Sequence, residues 1–163
     1  MVVRDQLKDP LNVHNVGDKA ERDAEVEELI SLVGLPHSAL DALPGQLSGG
    51  QRQRVAIARA LALSPDAIIA DEPTSALDVS VRAQILNLLT DLKNRLGLAM
   101  VFISHDIQTV RYVSDKIVVM NHGKIIEQGS AKEIFSNPKD DYTRKLLGAA
   151  PSLLHPDMTK IES

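Results

Sequence analysis

Residues 66–73 read DAIIADEP and are the strongest indication of the fold in this sequence. Four small or branched apolar residues, 67–70, predict a short buried strand, and the carboxylates of Asp71 and Glu72 follow it directly. Ligands bind at the carboxyl ends of strands in open α/β sheets, so we expect both acids at a ligand-binding edge. There the first acid can hold Mg²⁺ and the second can orient and deprotonate an attacking water. The alternative is that both are solvated turn residues.

Helical and extended segments alternate after this stretch. Apolar residues recur at helical spacing between Asp78, the expected N-cap, and Gly97, the expected C-terminal stop. This alternation over residues 66–128 predicts an α/β layer with parallel strands. The predicted elements are a helix over 79–96, a buried strand over 98–103, a short helix to about 114, and strands over 117–120 and 124–128.

The residues before the strand are predicted to be helical and irregular up to about 46. Pro10 and Gly17 are expected to break the first segment. A helix from Asp18 to Val33 then places its apolar residues on one face. Towards the C-terminus, a capping box at Ser130 opens a short helix, and a last helix runs over 142–149, with Pro151 as its stop.

The pentapeptide LSGGQ, residues 47–51, opens a helix predicted to run to about residue 63. Ser48 and Gln51 have the spacing of a capping box. A helix start exposes unpaired backbone N–H groups and the positive end of the dipole. Gly49 and Gly50 remove Cβ atoms that would hold an anion away, and the Ser48 hydroxyl adds a donor. These features predict a phosphate-binding site; the alternative is a flexible cap on an ordinary helix.

Other polar residues have both a functional and a local interpretation. His105 directly follows the predicted strand 98–103, so it could reach the same crevice and donate to a phosphate oxygen; a local capping role is the alternative. Asp78 is explained equally well as the N-cap of the long helix. Three arginines, Arg52, Arg54 and Arg59, are interpreted as a solvated helix face.

Composition excludes several classes of protein. Of the 163 residues, 44% are hydrophobic and 25% are charged, as in soluble globular domains. With no Cys, disulfides, thiolate catalysis and Cys-ligated metals are excluded. The net charge of −4 and the small aromatic content, 2%, argue against nucleic-acid binding. The start of the chain carries charge where a signal peptide would be apolar.

In this order the motifs resemble the nucleotide-binding domain of ABC transporters. The LSGGQ segment is similar to the signature motif, residues 67–72 to the Walker B segment, residues 75–78 to the D-loop and His105 to the switch histidine. Residues 78–85 and 136–147 resemble the peptide, opine and nickel importer branch. That branch often has His-Pro before its Tyr-Thr pair, where this chain has Asp140 and Asp141.

The resemblance implies a partial P-loop NTPase fold, in which an α-helical signature subdomain precedes a mostly parallel sheet flanked by helices. The implied domains are 1–63 for the helical subdomain, 64–150 for the C-terminal part of the ATPase core and 151–163 for a tail. The implied cofactors are ATP and Mg²⁺, with Asp71 holding the metal through water. Glu72 and His105 would be catalytic, and Asp78 would belong to the D-loop. Ser48, Gly49, Gly50 and Gln51 would bind a nucleotide held by a partner.

The sequence departs from the family at the P-loop, which reads G-x-x-x-x-G-K-[ST]. Its only Gly-Lys pair, Gly123-Lys124, is followed by Ile125, so no P-loop is present among these residues. The chain therefore resembles the C-terminal portion of an ATPase and is predicted to be inactive alone.

The partners that the resemblance implies are a second ATP-binding domain, transmembrane permease subunits and, through the assembled transporter, a substrate-binding protein. The location is then the cytoplasmic face of the cell membrane, and the function is to power import of oligopeptides, dipeptides or similar solutes. The alternatives are a truncated, non-catalytic interaction module and an ABC ATPase of DNA maintenance.

Overall fold

The computed structural model describes residues 1–149 and divides the chain into two compact units, Met1–Ile103 and the residues from Ser104 onward. The first unit contains helices α1 (Val3–Val13), α2 (Lys19–Leu32), α3 (Gly49–Leu61) and α4 (Val79–Leu96), two 3₁₀ turns (His37–Asp41 and Pro44–Gln46), and strands β1 (Ala67–Asp71) and β2 (Ala99–Ile103). The second unit contains α5 (Ile107–Val113), strands β3 (Lys116–Asn121) and β4 (Lys124–Ser130), α6 (Ala131–Ser136) and α7 (Asp141–Ala149).

Helices α1, α2 and α3 pack around one apolar core. The predicted apolar face of α2 is confirmed, because Val26, Leu29, Ile30 and Val33 are all buried. The break expected at Pro10 is wrong, since Pro10 lies inside α1. Proline removes one backbone hydrogen bond from the helix. Val3, Leu7 and Leu11 lie on one buried stripe, so their packing holds the helix together through the proline.

The two strands of the first unit pair in parallel, as predicted, with Ile69 opposite Val101. The expectation that both strands are buried is wrong. Ile68, Met100 and Phe102 pack against the helical core, whereas Ile69 is 71% exposed and Val101 is 55% exposed. Since side chains alternate between the two faces of a strand, the first unit covers only one face of this two-stranded sheet.

The helices before residue 62 share a single buried core with Ile85, Leu89 and Leu92 of α4. Because this core includes residues on both sides of position 63, the packing shows no domain boundary there. The predicted domain limits at 63 and 150 stay a prediction.

The second unit is built on the antiparallel hairpin of β3 and β4. Its turn contains His122 and Gly123 in left-handed conformation, with φ of 47° and 75°, as two-residue hairpin turns require. Ile117, Val119 and Ile134 of α6 form its small core. The predicted stop at Pro151 and the tail lie outside the described residues. None of the helices within residues 1–149 is long and apolar enough to cross a membrane.

Candidate functional site

The loop 47–51 forms the capping box that its sequence predicts. The backbone N–H of Gln51 donates to Ser48 Oγ over 3.2 Å, and the backbone N–H of Ser48 donates to Gln51 Oε1 over 2.9 Å. The first helical amides, those of Gly49 and Gly50, have no carbonyl one turn earlier in α3 to bond. Ser48 is exposed and its Oγ accepts one bond in the box, which leaves its proton to donate. The loop thus presents two amides and a hydroxyl at the positive end of a 13-residue helix.

Two of the three arginines of α3 donate hydrogen bonds to backbone carbonyls outside the helix. Arg52 Nη1 donates to the carbonyl of Leu47 over 2.6 Å, which closes the loop from behind. Arg54 Nη1 donates to the carbonyl of Val33 over 2.6 Å and so ties α3 to the end of α2. Arg52 and Arg59 are exposed, as the interpretation of a solvated face expects, whereas Arg54 is half-buried; both Arg52 and Arg54 satisfy a backbone carbonyl.

The two glycines of the loop face the start of α4. A Cβ placed on Gly49 would lie 3.3 Å from Leu77 Cδ2, and one placed on Gly50 would lie 2.6 Å from Val81 Cγ1. Neither glycine has a positive φ. Sequence reasoning missed Leu77 and Val81, because no sequence pattern connects a glycine to a side chain about thirty residues later.

The carboxylates lie at the carboxyl end of β1, as predicted. Asp71 is exposed and is the last residue of the strand. Glu72 has a φ of +46°, in the left-handed region that side chains other than those of Gly, Asn and Asp seldom adopt. The backbone N–H of Glu72 donates to the carbonyl of Ile103 over 2.9 Å, and the Ser75 hydroxyl donates to the Glu72 carbonyl over 3.1 Å. These bonds hold the acid in a strained turn, a feature that concentrates at functional sites.

The capping explanation of Asp78 finds no support in its side chain. Asp78 occupies the N-cap position of α4, but its carboxylate accepts no capping hydrogen bond there. The side chain is exposed, between Leu77 and the first turn of α4. The predicted N-cap position of Asp78 is therefore confirmed, without a side-chain capping bond, and its role in the D-loop stays a prediction.

His105 belongs to the second unit and lies just before α5. It is exposed, and the capping role next to it is performed by Asp106, whose Oδ1 accepts from the backbone N–H of Gln108 over 3.0 Å. The side chain that caps α5 is therefore Asp106 and not His105, and the catalytic role of His105 stays a prediction.

A metal ion would not find a complete set of protein ligands here. Within residues 1–149, no group of three or more His, Asp or Glu side chains is arranged to hold a metal. The single exposed carboxylate of Asp71 fits Mg²⁺ of the kind that is held by one or two carboxylates, waters and substrate phosphates.

Comparison with known proteins finds similar sequences among transport proteins. The family model described as ABC transporter matches residues 1–75. The chain is 51% identical over 152 residues to an oligopeptide transport ATP-binding protein of Streptococcus mutans, which covers 93% of this chain and 49% of that protein. It is 50% identical over 147 residues to a dipeptide transport ATP-binding protein of Haemophilus influenzae, covering 90% of this chain and 45% of the relative.

A solved structure gives the same result for the fold. A dimeric ATP-binding cassette in a post-hydrolysis state, bound to ADP and Pi, matches 80% of this chain and 57% of its own, with a TM-score of 0.69 and 34% identity. The fold is therefore that of an ATP-binding cassette. Residues 1–75 match the ABC transporter family model, and the chain is similar to ATP-binding proteins of peptide transport. It spans about half the length of these two curated relatives.

Proposed function

We propose that this chain supplies two parts of an ATP-hydrolysing subunit that powers import of oligopeptides or dipeptides. These parts are the signature loop, residues 47–51, and the Walker B carboxylates, those of Asp71 and Glu72. The observation that carries the proposal is the signature loop, which is already folded around its own capping box with two amides and a hydroxyl left to donate. Identity near 50% to peptide-transport ATP-binding proteins over more than 90% of the chain supports the substrate class.

The signature loop would act on a nucleotide held by a second ATP-binding domain. The Ser48 hydroxyl and the amides of Gly49 and Gly50 are donors, and the helix dipole behind them favours negative charge. Gln51 would also lie at this surface, since its side chain closes the box. Donors placed in advance where phosphate charge develops are a large term in phosphoryl-transfer catalysis.

The carboxylates would act on the nucleotide of their own subunit. Asp71 would hold Mg²⁺ through water, and bound Mg²⁺ neutralises charge on the phosphates. Glu72 would accept the proton of the attacking water. The hydrogen bonds of its backbone N–H and carbonyl hold the Cα of Glu72 in place, and so position its side chain. His105 would donate to a phosphate oxygen, and Asp78 would contact the facing domain.

The partners in this function are a second ATP-binding domain, the permease subunits and, through them, a substrate-binding protein. The subunit would lie at the cytoplasmic face of the membrane. The dimeric state of the structural neighbour supports the first of these partners.

The absence of a P-loop among these 163 residues favours one other candidate, a non-catalytic chain that serves only as an interaction module. Phosphate positioning supplies most of the catalysis in this chemistry. We therefore expect no tight binding of Mg-ATP to residues 1–163 by themselves.

The test uses the chain as a donor of its signature loop. Phosphate release is measured for a full-length peptide-importer relative whose own signature loop has been disabled, with and without this chain, and ATP is titrated calorimetrically into the chain alone. We expect release only when the chain is added, and none with a Ser48→Arg chain as the matched control. No release with the unaltered chain would support the interaction module, and micromolar ATP affinity of the chain alone would show that another segment replaces the P-loop.

A further inference from the structure

We propose that Val81 of α4 positions the signature loop, and that Gly50 is a glycine because α4 occupies the space of its side chain. The inference rests on the proposed function for its catalytic consequence only. It changes the role of Gly50, whose missing Cβ is then required by a contact inside the chain and not by the approach of a phosphate.

Helix α4 leaves no room for a side chain at position 50. A Cβ on Gly50 would lie 2.6 Å from Val81 Cγ1, closer than real Cβ contacts come. The neighbouring Gly49 would meet only Leu77 Cδ2, at 3.3 Å, which a small movement of a flexible leucine relieves. The two glycines therefore differ, and the second is the one that α4 requires.

The Val81 side chain cannot move aside to make room. Valine in a helix strongly prefers one χ1 rotamer, so Cγ1 cannot swing away at low cost. Val81 is half-buried in the first turn of α4, whose later residues Ile85 and Leu89 are locked in the core of the unit. A side chain at position 50 would therefore push the start of α3 away from α4.

The backbone conformation does not require glycine at position 50. Gly50 lies in α3 without a positive φ, where alanine would favour the helix. A residue that costs helix stability without any conformational need points to close packing as its reason.

The consequence is a mechanical connection between two functional segments. Val81 lies three residues after Asp78, in the helix that follows the carboxylates, and it touches the loop that faces the partner's nucleotide. A shift of the first turn of α3 displaces the amides of Gly49 and Gly50 together with the Ser48 hydroxyl. Misplacement by about 1 Å can lower a rate by roughly 10²-fold.

The experiment is a rescue. Gly50→Ala, Val81→Ala and the double variant are compared in the phosphate-release assay with the signature-disabled relative, at varied ATP. We expect Gly50→Ala to lower kcat by roughly 10²-fold with KM for ATP nearly unchanged, since the relative's own P-loop holds the nucleotide. We expect the double variant to recover most of that loss. Gly50→Ala combined with Val79→Ala is the matched control, because Val79 is 81% exposed in the same turn, and it should recover nothing.

Urea unfolding of the same chains decides the inference independently of catalysis. Gly50→Ala should lower the unfolding midpoint, Val81→Ala should restore it, and Val79→Ala should not. A double variant that stays as inactive and as unstable as Gly50→Ala would overturn the inference. If the unaltered chain supports no phosphate release, the proposed function fails, and the unfolding series alone decides whether Val81 excludes a side chain at position 50.

Discussion

The uncovered face of the β1–β2 sheet predicts that the chain self-associates. Ile69 is 71% exposed, Val101 is 55% exposed and Ile103 is 46% exposed, and all three lie on the same face. Contiguous exposed apolar surface of this kind, on strands with an unpaired edge among the described residues, drives association between copies.

The perturbation is the double substitution Ile69→Thr and Val101→Thr, which keeps β-branched residues in both strands. Full burial of one such side chain contributes about 2 kcal/mol. Scaled by the exposed fractions, 71% and 55%, the two side chains together contribute about 2.5 kcal/mol to an association that covers them. The association constant of the variant should therefore fall by roughly 50-fold or more.

The assay is sedimentation velocity over a range of concentrations, with Val79→Thr as the control because Val79 is exposed on α4 and not on the sheet. We expect the unaltered chain and the control to self-associate and the double variant to shift to monomer. A monodisperse, cooperatively unfolding monomer of the unaltered chain at high concentration would refute the reasoning. So would a double variant that associates as strongly as the control.

The remaining predictions concern single residues. In a chain that also carries a P-loop segment, Glu72→Gln should lower ATP turnover by roughly 10²–10⁴-fold while ATP binding persists, because a general base is lost; near-normal turnover would remove Glu72 from the mechanism. The Arg4 guanidinium and the His37 ring hold the pKa of the Glu27 carboxyl below its ordinary value of 4.5. That contribution to stability is present above 4.5 and is lost as the pH falls through the lowered pKa, so acid titrations of unfolding should show it and Glu27→Gln should remove it. Gly97 ends α4 with a φ of 66° and open space around it, so Gly97→Ala should lower the free energy of unfolding by about 1 kcal/mol. Gly45→Ala, which meets no neighbour and has no positive φ, is its control and should leave the stability nearly unchanged.

Local signals in the sequence predicted much of the fold because they act over a few residues. The capping boxes at Ser48 and Ser130 and the left-handed stop at Gly97 all form as expected. Each depends on one side chain and the backbone amides that follow it, so the pattern itself specifies the geometry. The parallel pairing of β1 with β2 followed from the helix between them.

The errors arose where distant packing decides the outcome. Helix α1 continues through Pro10 because the apolar stripe on either side of the proline is buried, which the low helix propensity of proline alone does not reveal. The run at 67–70 predicted a strand correctly, but its burial depends on what covers each face of the sheet, and a one-dimensional run carries no such information.

In the candidate site, too, local patterns predicted some features, and contacts between distant residues determine the others. The exposed Asp71 at the end of β1 and the donors of the signature loop followed from local patterns. The left-handed backbone of Glu72 depends on bonds to Ile103 and Ser75, of which the first joins residues far apart in the chain. The contact of Gly50 with Val81 depends on how two helices pack. Neither feature has a signature within a short window of sequence.

The capping box of Ser48 has a kinetic consequence for the loop that contains it. Its two internal hydrogen bonds, together with the bond from Arg52 to the carbonyl of Leu47, order the loop before any anion arrives. Binding by a preorganised loop does not lose the conformational entropy that a flexible loop would lose. In the proposed function, the rate at which this loop captures a phosphate would then be set by the encounter of the two surfaces, and not by a folding step within the loop.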